Sequence, residues 1–250
     1  MRLTVLGKSP SWQDADGACS GYLVQAGPAH TTVLLDCGPG VFAKLRSHLD
    51  YVDVDAVVIS HLHADHILDL VPYASGLRYG PHTRRPKLYA PPAALAAFSG
   101  MCEATNMTAE HIELAFEVTV YDPADVLAIG ALSVRFQPVP HYIPANAVEF
   151  AAGGARFTFS ADCGPNQALC DFAAGTDLLL IEATLPVSDG EGHLTPREAG
   201  EHGAKAGARR VVLTHFSDEL DVGWALAEGA RGFGAPVEAA QSGATYDLGA

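Results

Sequence analysis

Four side chains of the kind that bind metal ions occur within six consecutive residues of this sequence. The segment reads His61-Leu62-His63-Ala64-Asp65-His66. His61 and His63 are two residues apart, so on extended backbone they point to the same side, whereas Asp65 and His66 belong to the turn that follows. Because these four ligands leave one loop in two directions, the segment favours two adjacent metal ions over one.

Three further polar residues follow apolar stretches in the second half of the chain. A catalytic zinc ion takes about three protein ligands and a water molecule, so a second ion needs ligands from elsewhere. Residues that strands deliver to a sheet edge are suitable candidates, and these are His141 after 138–140, Asp162 after 157–161 and His215 after 211–214. Taken singly, each is equally well explained as a structural residue. Together they complete a two-metal site.

A site of this kind has a definite chemistry. Two divalent ions about 3.5–4 Å apart lower the pKa of a shared water towards 7 and bind both oxygens of an in-line displacement. Asp65, Asp162 and a hydroxide would neutralise most but not all of the charge of two zinc ions. The remaining positive charge would attract an anionic substrate.

The elements that must position these residues are predicted to be those of an α/β protein. Short apolar runs bounded by Gly, Pro or Asp predict strands at 3–7, 22–26, 32–36, 55–60, 87–90, 115–121, 131–139, 148–151, 155–160, 178–181 and 210–214. Helices are predicted at 39–49, 67–77, 92–97 and 195–206, the last with Thr195 as N-cap, Pro196 in the first turn and Glu198 in a capping box. Gly153-Gly154 predicts a hairpin turn. Meanders followed by βαβ units indicate two sheets with helices outside, in one domain covering 1–250.

Composition excludes several classes of protein. The chain has 250 residues, 48% of them hydrophobic, which is typical of a globular protein with a sizeable core. Its formal net charge of −14 disfavours a broad nucleic-acid-binding surface. The five cysteines contain no C-x-x-C pair, so neither a disulfide framework nor a structural zinc site is expected. No secretory signal or long apolar span is visible, which predicts a cytoplasmic protein without a membrane partner.

The order of the candidate ligands resembles that of the metallo-β-lactamase-fold hydrolases over nearly the whole chain. Three later segments resemble the ribonuclease Z branch and its phosphodiesterase relatives, namely Leu180-Ile181-Glu182-Ala183-Thr184, His193-Leu194-Thr195 and Leu213-Thr214-His215-Phe216-Ser217. Within this branch, Ser20-Gly21-Tyr22-Leu23 and the 193–195 segment are most similar to actinobacterial cyclic-nucleotide phosphodiesterases. The resemblance implies a single-domain, four-layer αββα sandwich with metals at one edge of the two sheets.

The resemblance also implies roles for individual residues. One zinc ion would be held by His61, His63 and His141, the other by Asp65, His66 and His215, and Asp162 would bridge them. Mn or Fe are alternatives to zinc. Asp65 would be catalytic, together with Glu182 and His193 as a proton-shuttling pair. Asp36 would orient ligand histidines, although a strand-end turn residue is an equally good explanation of it.

Two departures weaken the tRNA-processing interpretation. Ribonuclease Z relatives usually have Gly-Asp-Thr and His-Ser-Thr where this chain has Ala161-Asp162-Cys163 and His193-Leu194-Thr195. The forms that grip tRNA insert a long basic arm between the third histidine and the bridging aspartate. Here His141 and Asp162 are 21 positions apart, with Arg156 as the single basic residue between them.

These observations favour a hydrolase that acts on a small (cyclic) nucleotide phosphodiester through a metal-bridging hydroxide. His193, just before a helix start, would protonate the leaving oxygen. It could instead be a surface loop residue. Three alternative functions stay open: a tRNA 3′-processing endonuclease, a carbonyl ester, lactone or thioester hydrolase, and a non-catalytic ligand-binding member of the fold.

Two further features have no assigned role. The basic segment 82–87 could contact a nucleotide or a partner, but it is also typical of a solvated loop. Family members are often dimers, so a homodimer also stays open.

Overall fold

The computed structural model describes residues 1–28, 31–81 and 84–249, and the strands of this part of the chain form two sheets of seven strands each. The first sheet contains β1 (Arg2–Gly7), β2 (Gly21–Ala26), β3 (Thr31–Leu35), β4 (Ala56–Val58), β5 (Lys87–Ala90) and β6 (Glu117–Val120). The second contains β7 (Val126–Ile129), β8 (Leu132–Val139), β9 (Ala145–Ala152), β10 (Ala155–Phe159), β11 (Leu178–Glu182), β12 (Val211–Thr214) and β13 (Glu238–Ala239). The last strand, β14 (Thr245–Asp247), returns to the first sheet and pairs antiparallel with β1.

Each sheet combines an antiparallel meander with a run of parallel strands. In the first sheet β1, β2 and β3 are antiparallel, and β3 to β6 are parallel in chain order. In the second, β7 to β10 are antiparallel and β10 to β13 are parallel. Parallel strands need crossover connections, which helices supply here, and the carboxyl ends of such strands meet at one edge of a sheet. This edge is where the candidate ligands arise.

Helices cover the outer face of each sheet. Against the first sheet lie α1 (Val41–His48), α2 (Ala64–Ile67), α3 (Leu70–Tyr79), α4 (Ala94–Ala104) and α5 (His111–Ala115); against the second lie α6 (Gln167–Phe172), α7 (Pro196–Ala206) and α8 (Val222–Phe233). A buried apolar cluster with the aromatic rings of Tyr22, Phe150 and Phe159 fills the space between the sheets. The predicted four-layer αββα sandwich is therefore confirmed. None of the described helices is long and apolar enough to cross a membrane.

Most predicted elements are present, and the predicted helix cap and hairpin turn are found where expected. Thr195 and Glu198 form the predicted capping box at the start of α7. Gly153 and Gly154, with φ of +58° and +84°, make the turn between β9 and β10. The predicted strand at 115–121 was too long, because residues up to Ala115 form α5 and pairing begins only at Glu117.

The predicted helix at 67–77 was wrong in one respect, because the chain forms α2 and α3 with a break between them. The backbone N–H of Asp69 donates to the carbonyl of Cys37 at 3.0 Å rather than to a carbonyl within the helix. The Asp69 carboxylate accepts from the N–H of Phe42 at 2.8 Å. A neighbouring segment thus replaces the helical bond at this point, which local periodicity does not reveal.

Gly38 lies against the backbone of α2, and this close packing leads to a stability prediction. A Cβ atom at Gly38 would lie 1.8 Å from the carbonyl oxygen of Asp65. We expect Gly38→Ala to destabilise the fold by about 1–3 kcal/mol through overpacking against backbone. Urea unfolding measures this, with Gly100→Ala in α4 as the matched control. A Cβ at Gly100 meets nothing within 4 Å, so this control should be neutral or stabilise by up to about 1 kcal/mol. Equal effects of the two substitutions would contradict the prediction.

Candidate metal centre

The candidate ligands stand where strands of both sheets end. Asp36 follows β3, His61 follows β4, His141 follows β8, and His215 follows β12. Asp36, Ala161 and His215 have left-handed backbone, with φ of +57°, +53° and +55°. Residues other than glycine adopt this conformation at a cost, and it is concentrated at functional sites. These sharp turns end the strands at the edge where the side chains converge.

The structure brings the first predicted group together. One ligand atom from each of His61, His63, His141 and Asp162 lies within 4.8 Å of all the others. Nε2 of His141 is 3.0 Å from Nδ1 of His63. Oδ2 of Asp162 is 3.7 Å from Nε2 of His61 and 3.9 Å from Nε2 of His141. Such a set is compact enough to surround one cation.

The second predicted group lies directly beside the first. Asp65, His66, Asp162 and His215 also offer ligand atoms within 4.8 Å of one another. Nε2 of His215 is 3.1 Å from Oδ2 of Asp65 and 3.3 Å from Oδ2 of Asp162. Nε2 of His66 is 3.4 Å from Oδ1 of Asp162. Asp162 is the member that the two groups share, so all seven predicted ligand side chains meet in one pocket.

Three buried polar atoms in this pocket lack hydrogen-bond partners. They are Nε2 of His61, Nε2 of His66 and Oδ1 of Asp162. Leaving a buried polar atom unpaired costs about 1–3 kcal/mol, which a bound cation would offset. Imidazole and carboxylate donors suit zinc, manganese and iron. The residues present therefore fit divalent metal ions.

Most of these ligands have pKa values shifted towards the protonation state that binds a cation. Burial alone would raise the pKa of both carboxylates. A hydrogen bond from His215 and the charges of His66 and His215 lower the pKa of Asp65, and the charges of His215 and His66 lower that of Asp162. Burial lowers the pKa of His61, His63 and His141, which keeps these imidazoles neutral. Ionised carboxylates and neutral imidazoles are the protonation states that bind metals.

The outward-facing nitrogen of each of four histidines is held by the surrounding protein. Nδ1 of His66 donates to Asp36 at 2.7 Å, and Nδ1 of His141 donates to the carbonyl of Gly192 at 2.7 Å. Nδ1 of His61 lies 3.1 Å from the hydroxyl of Ser60, and Nδ1 of His215 lies 2.9 Å from that of Thr184. These contacts leave each Nε2 directed at the pocket, as outer partners of metal-binding histidines do.

Three of these outer partners were not predicted from the sequence. Ser60, which also donates to Asp36 at 2.7 Å, directly precedes His61, and Thr184 lies in the Glu182-Ala183-Thr184 segment that was singled out. Both positions thus carried a signal. The carbonyl of Gly192 carried none, because a backbone acceptor leaves no trace in residue type.

Glu182 and His193 form a pair at the side of the pocket. Oε1 of Glu182 accepts from Nδ1 of His193 at 3.0 Å and from the N–H of Cys163 at 2.7 Å. Oε2 accepts from the N–H of Leu194 at 3.1 Å and the hydroxyl of Thr184 at 2.7 Å. The carboxylate is fully buried and already has these four donors, so it is suited to hold His193 in place rather than to bind a metal.

The ring of His193 lies among the candidate ligands. Its centroid is 4.9 Å from that of His141 and 5.8 Å from that of His215. Burial lowers the pKa of His193, but the hydrogen bond and charge of Glu182 outweigh it and raise this pKa above its usual value. Because Glu182 takes Nδ1, Nε2 is the nitrogen left for a substrate.

The basic segment 82–87 is only partly described, since His82 and Thr83 lie outside the described residues. Arg84 pairs with the carboxylate of Asp55 at 2.7 Å. Arg85 donates to the carbonyls of Glu113 and Phe116 at 2.7 and 2.9 Å. Both guanidinium groups are thus used within the chain, which agrees with the interpretation as an ordinary loop.

Comparison with known proteins is consistent with this geometry. Residues 31–216 match the family model of the beta-lactamase superfamily domain. The chain is 30% identical to the probable metallo-hydrolase YhfI of Bacillus subtilis, over 86% of this chain and 87% of that protein. It is 26% identical to ribonuclease Z of Myxococcus xanthus, over 99% of this chain and 98% of that one.

Solved structures agree in fold. The crystal structure of YhfI from Bacillus subtilis superimposes with a TM-score of 0.88 at 26% identity, covering 99% of this chain and 98% of that chain. The short form of human tRNase Z superimposes with a TM-score of 0.76 at 20% identity, with all of both chains covered, which shows a shared fold. From the family match and the YhfI relative, we conclude that this chain belongs to the beta-lactamase superfamily and is one of its metallo-hydrolases.

Proposed function

We propose that this protein is a binuclear metal-dependent phosphodiesterase that acts on a small phosphodiester, such as a cyclic nucleotide. His61, His63 and His141 would hold one ion, Asp65, His66 and His215 the other, and Asp162 would contact both. When bound, two such ions, of Zn, Mn or Fe, supply positive charge for a phosphate and lower the pKa of a bound water.

The observation that carries this proposal is the His193–Glu182 pair beside the two ligand groups. Hydrolysis of a phosphodiester with a poor leaving group needs a proton on the departing oxygen. His193 would hold that proton at Nε2, while Glu182 fixes the ring through Nδ1 and stabilises the imidazolium form. A lactone opens with less need of such an acid, so the pair favours phosphorus over carbonyl substrates.

A tRNA substrate is the second candidate, because a relative with 26% identity is named ribonuclease Z. Two observations speak against it in this chain. The segment between His141 and Asp162 is occupied by the β9–β10 hairpin and holds no projecting arm. The net charge of −14 opposes a polyanion, because affinity for a phosphate backbone comes mainly from Lys and Arg. A compact anion that reaches only the pocket avoids both obstacles.

A substrate panel tests the proposed function. Metal-loaded protein is given 3′,5′-cyclic AMP, a 2′,3′-cyclic nucleotide, an aryl phosphodiester, a pre-tRNA, a lactone and a thioester. We expect turnover of the small phosphodiesters, and we expect a chelator to abolish it until metal is restored. Turnover confined to the lactone and thioester, or to the pre-tRNA, would contradict the proposal, as would metal binding without turnover of any compound.

Asp36 gives a milder prediction about the same site. Its carboxylate accepts from His66 and from both the N–H and the hydroxyl of Ser60, at 2.7–2.8 Å. We expect Asp36→Asn to weaken metal affinity by about 10- to 100-fold, because outer partners of ligand histidines typically contribute this much. Competition with a metal-sensitive dye measures the affinity. Unchanged affinity would show that Asp36 is a turn residue only.

A further inference from the structure

An exposed aromatic residue stands at the rim of the pocket and has no role in the mechanism proposed above. Tyr142 directly follows His141 in the loop between β8 and β9, and 57% of it is exposed. Its ring centroid is 5.1 Å from that of His141 and 5.6 Å from that of His193. A large ring left this exposed adds little to the burial that stabilises the fold, so its position calls for another explanation.

The ring is nevertheless held firmly in place. Its hydroxyl donates to the carboxylate of Asp189, whose other oxygen accepts from the N–H groups of Glu191 and Gly192 at 2.9 and 3.3 Å. The ring rests on Gly192, where a Cβ atom would come within 2.3 Å of it. Little side-chain entropy remains to be lost when a ligand binds.

The charges around the ring indicate which kind of group it could contact. The carboxylate of Asp189 accepts from the Tyr142 hydroxyl, so a second anionic group at the rim would be repelled. A phosphate attracted to ions in the two ligand groups would lie at the bottom of the pocket. The rest of the substrate would then extend past His193 towards Tyr142. A neutral, flat group suits a rigid aromatic surface, because stacking depends on a π face rather than on hydrogen bonds.

We propose that Tyr142 is an aromatic platform that stacks on a planar group of the substrate, a nucleobase or an aryl ring, on the side of the pocket where His193 stands. This inference rests on the proposed function and specifies its substrate class. It makes Tyr142 a specificity-determining residue.

Equilibrium binding tests the platform without requiring turnover. Isothermal titration calorimetry on metal-loaded protein compares AMP with ribose 5-phosphate, which carries the same phosphate and sugar but no base. We expect the wild type to prefer AMP. Tyr142→Ala should weaken AMP binding by about tenfold, since stacking of a base on an aromatic ring is worth that much or more. Binding of ribose 5-phosphate should be unchanged.

Two control variants separate stacking from other roles. Tyr142→Phe keeps the ring but loses the bond to Asp189, so it should keep most of the preference for AMP. Tyr79→Ala removes a tyrosine at the end of α3 that is 70% exposed, and it should leave binding of both compounds unchanged. Equal weakening of both ligands by Tyr142→Ala, or no preference for AMP in the wild type, would overturn the platform. Failure of the proposed function would show separately, as absent phosphodiester turnover with the binding preference intact.

Discussion

Replacing Asp162 with asparagine is expected to lower phosphodiester turnover by at least about 100-fold and to reduce the metal content of the protein. Outer partners of metal ligands already contribute 10- to 100-fold to affinity or activity, so a direct ligand should contribute at least as much. Asp162 contacts both ligand groups, and its Oδ1 is buried without a hydrogen-bond partner. Asparagine keeps the shape of the side chain but removes the negative charge that two neighbouring cations require.

Metal analysis after dialysis, together with turnover of an aryl phosphodiester, measures this effect. Asp171→Asn is the matched control, because Asp171 is an exposed carboxylate on α6 that bonds Gln167. The control should keep wild-type metal content and turnover. If Asp162→Asn retained the full metal content and full activity, the shared-ligand assignment would be wrong, and the two groups would have to be reconsidered as separate sites.

The second large effect is expected for His193→Ala, and it should depend on the leaving group. General acid catalysis contributes about 10²- to 10⁴-fold, so hydrolysis of a cyclic nucleotide, which expels a sugar oxygen, should slow by that factor. An aryl phosphodiester with an acidic phenol needs little protonation and should slow far less. Metal content should not change, because His193 belongs to neither of the two proposed ligand groups.

Two measurements decide whether this assignment is right. Rates with both substrates give the leaving-group dependence, and elemental analysis gives the metal content of the variant. Glu182, His193 and His215 also offer ligand atoms within 4.8 Å of one another, so a metal-binding role for His193 has a distinct signature. Equal slowing of both substrates accompanied by loss of metal would identify His193 as a ligand and remove it as the acid.

Much of the candidate site could be predicted from local sequence. The spacing of His61, His63, Asp65 and His66 is short-range, so backbone alternation and one turn already bring them together. The capping box at Thr195 and the glycine turn between β9 and β10 are also local, and both formed as predicted. The order of meanders and βαβ units predicted two sheets with helices outside, and the family resemblance implied the αββα sandwich.

Other features depended on contacts between distant segments. The break between α2 and α3 arises because Asp69 bonds Cys37 in place of its own helix. The C-terminal strand β14, which pairs with β1, was not predicted, because its three residues carry almost no signal of their own. Both cases involve hydrogen bonds whose partners lie far away along the chain.

The sequence alone therefore determined which side chains could bind metal and which strands would carry them. Residue type and local backbone preference depend only on residues that are close together in the chain. Only the tertiary structure decided that His141, Asp162 and His215 meet the first four, that Glu182 is buried beneath His193, and that Tyr142 stands at the rim. These relations depend on how two twisted sheets pack and where their strands end, and no local interaction specifies that.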